Sequence, residues 1–386
     1  MALLRRLRVG TLHLQLPDGQ HLHFGSGSDS EPRALMRLHN WGVCAAALKS
    51  GDIGFAESHI AGDWSTPDLV ALLKLLIANR DAVQAAVYGS WWGSLLYRAR
   101  HLFNRNSRSG SRKNIHAHYD IGNPFYRLWL DETMNYSSAL FEGDARRSLP
   151  EGQQAKVRRA LTECGVQPGQ RLLEIGCGWG ALAEAAAGLG AHVTGVTLSS
   201  EQLAYAQQRL ARRQLGADLR LQDYREIADA PDHAPYDAVV SIEMFEAVGR
   251  EYWPGFFATV RRCLKPGGRA CIQTITIRDD LFERYVRSTD FIQQYIFPGG
   301  LLPSRGAFVA AAQAAGLRVV NELDFGADYA RTLALWRERF NAQDAAVRAL
   351  GFDARFMRIW DFYLGYCEAA FATGNTSVVQ FTLARD

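Results

Sequence analysis

A doubly wound α/β sheet, preceded by a small α+β module, is the architecture that this 386-residue chain predicts. Three observations carry it. Leu172-Leu173-Glu174-Ile175 is a short apolar run that leads into glycines at 176, 178 and 180 and then into the helix formers Ala181 to Ala187. Strand, glycine-rich turn and helix form the opening unit of a nucleotide-binding sheet. Further strand and helix patterns alternate after it, as a parallel sheet requires. Before residue 114 the pattern is instead that of a hairpin with short helices, and the length exceeds what one simple core holds.

The module comes first. Leu12 to Leu16 alternates, Pro17-Asp18-Gly19 turns and His21 to Phe24 alternates again, which predicts a β-hairpin. Gly25 to Pro32 is a polar loop, and Arg33 to Leu48 fits either strand or helix. Ser65 or Thr66 is the expected cap of a helix with Pro67 in its first turn. No catalytic constellation falls here, so residues 1–86 read as a docking module. Val87 to Lys113 is a basic linker, with Trp91 and Trp92 ahead of Arg98, Arg100, Arg105, Arg108, Arg112 and Lys113. It suits either a solvated connection or an element that rests on anionic lipid.

Residues 114–386 form the second domain. His116 and His118 open it, too few for a metal site, followed by aromatic residues around Phe125 and Trp129. After the glycine turn, Ala191 to Leu198 is the second strand, and Ser199 or Ser200 caps the next helix. Leu219 to Asp223 is the third strand. Tyr236 to Ile242, nearly all apolar, is the fourth and reads as covered on both faces. Leu264 to Gly268 turns into a strand from Arg269 to Ile277, and an insertion lies around 281–304.

The glycine spacing excludes two ligands. A dinucleotide fingerprint is G-x-G-x-x-G and a phosphate loop ends in Gly-Lys-Ser/Thr, whereas this loop is G-x-G-x-G without lysine. It resembles the S-adenosylmethionine loop of class I methyltransferases. About twenty residues on, where a dinucleotide site places an acid, the chain has Thr197-Leu198-Ser199. Gln202 is then the candidate for the ribose, and Asp223-Tyr224 suit the adenine amine and ring.

Charge and cysteine usage bound the rest. Residues 1–113 hold 14 Lys and Arg against 8 Asp and Glu, a net +6, so the remainder of a +3 chain is −3. That asymmetry points to an anionic surface, and without a nucleic-acid motif the surface expected is phospholipid. The six cysteines show no metal-ligand spacing and read as free thiols of a reducing cytosol. The apolar helix Leu69 to Ala78 is too short to span a bilayer, so membrane contact is expected to be peripheral.

Together these residues resemble the cyclopropane-fatty-acyl-phospholipid synthases and the related mycolic-acid and fatty-acid C-methyltransferases. The resemblance runs through Gly54 to Trp64, His118 to Asn123, Met134 to Ser137, Glu174 to Gly180, Thr197 to Gln202 and Met244-Phe245-Glu246. It continues through Leu264 to Gly268, the specific Tyr295-Ile296-Phe297-Pro298 with Leu302-Pro303-Ser304, and Phe325 to Tyr329. It implies a Rossmann-like class I methyltransferase domain. The implied cofactor pocket comprises Tyr136, Ser137, Glu174, Gly176, Gly178, Trp179, Gly180, Thr197, Leu198, Gln202, Asp223 and Tyr224. It also implies a bicarbonate pocket at Ser138, Glu246, Gln273, Ile275 and Tyr329, and an active cysteine at Cys367. The chain departs from the family pattern at Ser138, where Cys is common, and at Gln273 and Ala247, where His is common.

The chemistry implied is methyl transfer from S-adenosylmethionine to the double bond of an unsaturated phospholipid acyl chain. The sulfonium methyl must be held in line with a weak alkene nucleophile, away from water. The resulting carbocation suits the ring faces of Tyr295, Phe297 or Tyr329. Direct proton loss from the new methyl closes a cyclopropane, whereas a hydride shift first gives a methylene branch. Bicarbonate oriented by Glu246 and Tyr329, or a side-chain carboxylate, takes the proton. Cyclopropane formation is the expected outcome, with branching or a non-catalytic lipid-binding relative as alternatives. The expected setting is the cytoplasmic face of the inner membrane, and family members are often homodimers. Cys367 sits in an apolar helical stretch and reads equally well as a structural thiol.

Overall fold

The computed structural model describes residues 4–25, 32–80, 121–229 and 234–386. The basic linker 87–113, His116 and the motif residues His118 to Asp120 lie outside the described residues. The described chain forms two compact units. One gathers residues up to 80 with Tyr285–Pro298 and Leu333–Asn375. The other gathers residues from 121 to Arg284 with Gly299–Thr332 and Thr376–Asp386. The second unit is therefore not the contiguous block 114–386, and the insertion 281–304 is divided between the units. A change of composition marks where a chain alters character. It does not show which later helices return to an earlier core.

In the first unit, β1 (Thr11–Gln15) and β2 (His21–Gly25) form the expected antiparallel hairpin, with Gly19 at φ 88° in its turn. The ambiguous stretch 33–48 resolves into both options. β3 (Arg33–Leu38) runs parallel to β1 with alternate residues buried, and the helix Gly42–Ala61 follows. β4 (Trp64–Ser65) completes a sheet of order β2-β1-β3-β4. Because Ser65 is taken into pairing with Arg37, the cap of the helix Leu69–Ala78 falls to Asp68, not to Ser65 or Thr66. The Asp68 carboxylate accepts the Ala71 N–H at 2.9 Å.

The second unit is a seven-stranded sheet. Its strands are β5 (Arg171–Ile175), β6 (His192–Thr197), β7 (Asp218–Leu221), β8 (Tyr236–Ile242), β9 (Leu264–Ile277), β10 (Arg318–Asp324) and β11 (Thr376–Ala384). They lie in the order β10-β11-β9-β8-β5-β6-β7. All neighbours from β9 to β7 are parallel, while β11 is antiparallel to both β9 and β10. β5 and β8 are apolar because helices cover both faces. Leu172 and Val240 share a core with Leu182, Ala183 and Leu210 from the helices Ala181–Gly188 and Ser200–Arg212. From β5 the chain winds outward through β6 and β7, then returns to place β8 on the other side. This reversal opens a crevice beyond the carboxyl ends of β5 and β8, where α/β sheets bind ligands.

The three loop glycines have φ of 85°, 49° and 81° at Gly176, Gly178 and Gly180, a region costly to other residues. A Cβ on Gly180 would also lie 2.8 Å from that of Ala206. Gly180→Ala is expected to destabilise the protein by about 1–3 kcal/mol, a combined cost of backbone strain and overpacking. A lowered thermal unfolding midpoint checks this, and an unchanged midpoint contradicts it.

Candidate active site

The cofactor side is assembled where β5 and β6 end. Nothing stands within 4 Å of where a Cβ on Gly178 would project, so the loop backbone is open to a ligand. Glu174, one residue before the end of β5, is 4% exposed, and its Oε2 is buried without a hydrogen-bond partner. Burial pushes its carboxyl up to about 8. A buried carboxyl oxygen with no donor calls for a cationic ligand group, as the α-ammonium of an amino-acid tail would be. At the end of β6 the Thr197 hydroxyl donates to Gln202 Oε1 at 3.0 Å and accepts the Ser199 N–H at 3.2 Å. With its oxygen so engaged, Gln202 offers NH₂ donors to a ribose hydroxyl. Ser199 is the helix cap, its side chain accepting the Gln202 N–H at 3.3 Å.

Aromatic rings wall this side. The Tyr136 ring packs against Tyr126 and Trp129, with centroids 5.5 and 5.4 Å away. Trp179 donates through Nε1 to Asn123 Oδ1 at 2.6 Å. The Asp223 carboxylate accepts both Nε and Nη2 of Arg225, at 2.8 and 2.5 Å, a pairing that fixes its orientation and leaves lone pairs for a further donor. The Tyr224 ring, edge-on to Phe256, supplies the adjoining wall.

The acceptor side is built around a residue that the sequence reading passed over. Glu243 directly follows β8 at φ 49°, a strained backbone for a non-glycine residue. Its Oε1 accepts the Ser138 N–H at 2.9 Å and Gln273 Nε2 at 2.7 Å, and its Oε2 accepts the Tyr329 hydroxyl at 2.6 Å. Burial raises its pKa, while these donors and Lys156 oppose the shift. The Gln273 carboxamide is itself oriented. Arg159 donates to Gln380 Oε1 at 2.6 Å, and Gln380 Nε2 donates to Gln273 Oε1 at 2.9 Å, leaving the Gln273 NH₂ for Glu243.

Ser138, Gln273, Ile275, Glu246 and Tyr329 are thus brought together as expected, but around protein carboxylates. Three of the donors assigned to bicarbonate serve Glu243. The Ser138 hydroxyl donates to its neighbour's carbonyl, Ala139 O, at 2.9 Å. Ile275 N–H donates to Glu246 Oε1 at 2.5 Å, and Glu246 Oε2 is buried without a partner. Burial and the adjacent Glu243 push the Glu246 carboxyl up to about 8, so at neutral pH it is mainly the neutral acid. A second anion would meet Glu243 and Glu246 beside Ser138 and Gln273, whose donors are already engaged.

Cys367 belongs to the first unit, on the helix Ala354–Ala372. Burial and the nearby Asp290 push its thiol well above the ordinary range. A thiol so raised is a poor nucleophile, which favours the structural reading of Cys367 over the active one. Tyr295 and Phe297 are also in that unit. The Tyr295 hydroxyl donates to Glu57 Oε1 at 2.5 Å, and Phe297 stands edge-on to Tyr363. Of the three rings considered for the cation, Tyr329 is the one in the unit of Glu243. No cluster of metal ligands occurs among the described residues, and no described helix is long and apolar enough to cross a membrane.

Comparison with known proteins places the chain in a family. A family profile described as mycolic acid cyclopropane synthetase matches residues 106–381. The chain belongs to that family. It is 39% identical to the tuberculostearic acid methyltransferase UfaA1 of Mycobacterium tuberculosis, over 99% of this chain and 90% of the relative. It is 34% identical to the cyclopropane-fatty-acyl-phospholipid synthase of Escherichia coli K12, over 91% and 88% of the two chains. The crystal structure of mycolic acid cyclopropane synthase CmaA1 with SAH and CTAB superposes at a TM-score of 0.65 and 34% identity, covering 71% of this chain and 98% of that one. As a family member the protein is an S-adenosylmethionine-dependent fatty acyl methyltransferase. The open glycine loop, the orphaned Glu174 oxygen and the Gln202 donors fit that cofactor.

The Glu246 proton links the site to stability. Its folded pKa of about 8 lies above the ordinary 4.5. The stabilisation that the neutral acid gives is complete below about pH 4.5 and is lost as pH rises through about 8. Glu246→Gln keeps an acceptor for Ile275 and removes this titration. Its stability relative to wild type is expected to rise between those pH values, as followed by denaturant unfolding. A pH-independent difference contradicts the assignment.

Proposed function

We propose that this protein methylates the double bond of an unsaturated lipid acyl chain and releases a methylene-branched chain, with Glu243 as the base in place of bicarbonate. One observation carries the reading: Ser138, Gln273 and Tyr329 donate to a carboxylate that belongs to the chain itself. The relative matched over nearly the whole chain supports it, being named a tuberculostearic acid methyltransferase and not a cyclopropane synthase, while the cyclopropane synthase compared above is less similar.

S-adenosylmethionine supplies an electrophilic methyl on a sulfonium. The chain's residues do the rest. Glu174 would hold the amino-acid tail of that cofactor and Gln202 its ribose. The alkene π pair forms the new C–C bond as the S–CH₃ bond breaks and its pair stays on the departing thioether sulfur, leaving a carbocation on the adjacent carbon, which Tyr329 and the Glu243 charge stabilise. Hydride then moves from the methylated carbon to the cationic carbon. The new methyl loses a proton to Glu243, and its C–H pair becomes the C=CH₂ bond.

The net charge of +6 in residues 1–113 supports docking on anionic phospholipid, with 1–86 and the linker as the docking part of this proposal.

The test uses the full chain with S-adenosylmethionine and vesicles of mono-unsaturated anionic phospholipid, with and without bicarbonate, and identifies products by mass spectrometry and NMR. A methylene branch formed at the same rate without bicarbonate is expected. A cyclopropane ring, or a requirement for bicarbonate, overturns the proposal. Glu243→Gln is expected to lose about 10²–10⁴ in kcat, the usual worth of a positioned base. Glu243→Gly relieves the positive φ and vacates three donors, so added bicarbonate is expected to restore activity to that variant but not to Glu243→Gln.

A further inference from the structure

Lys156 is a charged group that the reaction above leaves unused. It lies on the helix Leu149–Glu163 with a relative exposure of 0%. Its Nζ donates to Ser137 Oγ at 2.5 Å and to Asn135 Oδ1 at 3.2 Å. Three carboxylates attract its charge, Glu243 beyond β8 most, then Asp131 and Glu174, and the residue after its partner Ser137 donates its N–H to Glu243 at 2.9 Å. Methionine would fill similar volume at this buried position without the cost of desolvating an ammonium. The surroundings that justify a cation here are the three acids and the Ser137 hydroxyl.

We propose that Lys156 is a positioning residue of the methyl transfer, whose ammonium orients the Ser137 hydroxyl beside the cofactor loop and holds Glu243 in its ionised form. This rests on the reading of Glu243 as the base. The titratable groups facing Glu243 are Glu246, Tyr329 on the helix Gly326–Ala342, and Lys156. Among them Lys156 alone brings positive charge. Burial favours the protonated carboxyl, which cannot accept the proton, and the ammonium opposes it. Burial lowers the Lys156 pKa to about 8, and the three acids offset part of that fall, so the ammonium persists at neutral pH.

The experiment compares wild type, Lys156→Met, Lys156→Arg and Glu243→Gln. It measures kcat from about pH 5.5 to 9 on mono-unsaturated phospholipid vesicles, and S-adenosylmethionine affinity by calorimetry. Removing a neighbouring positive charge raises a carboxyl pKa. The acid limb of the Lys156→Met profile is therefore expected to move up by about one unit or more, with weakened cofactor binding. Lys156→Arg is expected to move the limb part of the way back. A Lys156→Met profile that falls by one factor at every pH, with its limb in place, overturns the proposal and leaves a structural lysine. If Lys156→Met does not fold, Lys156→Gln carries the same comparison. Loss of activity in Glu243→Gln with an unmoved limb in the lysine variants defeats the Lys156 proposal alone. Retained activity in Glu243→Gln defeats the reading of the base itself.

Discussion

A carboxylate that leaves bulk water must recover its hydrogen bonds from the protein, or it will take up a proton. At Glu243 the recovery comes from three separate elements: the Ser138 backbone, the Gln273 side chain on β9 and the Tyr329 hydroxyl on a helix near the end of the domain. These elements come together only once the seven-stranded sheet has closed. β8 ends at Ile242 so that the following residue turns at positive φ into the crevice. β11 inserts antiparallel beside β9 and brings Gln380 against Gln273, which decides which end of that carboxamide faces the acid.

The neighbouring acids divide their work by environment. Glu246, beside an existing negative charge and given one backbone donor, is held largely neutral. Glu174 is equally desolvated but faces Lys156 and has a bare oxygen next to the glycine loop. One arrangement suits a proton-bearing wall and the other a cationic ligand, although both side chains are glutamates with raised pKa values.

Much of this was legible in the linear chain. The glycine spacing, the strand that precedes it and the helix formers that follow fix a local conformation through steric rules acting over a few residues. The hairpin of β1 and β2 and the ends of β5, β6 and β8 are local in the same sense. Ser138, Gln273, Ile275, Glu246 and Tyr329 were found through family resemblance. Glu243 was missed because an acid at a strand end is commonplace, and its partners lie 30 to 105 residues away. Lys156 was missed because on its helix it looks like any other solvent-facing cation.

Sequence alone therefore determined the fold class, the cofactor loop and the family, since each depends on short-range stereochemistry or on motif identity. Tertiary structure decided which residues return to the first unit, that Cys367 is buried in it, and which carboxylate the Ser138, Gln273 and Tyr329 donors serve. Those outcomes depend on burial and on contacts between distant residues. Desolvation has no magnitude until the chain has closed around the group.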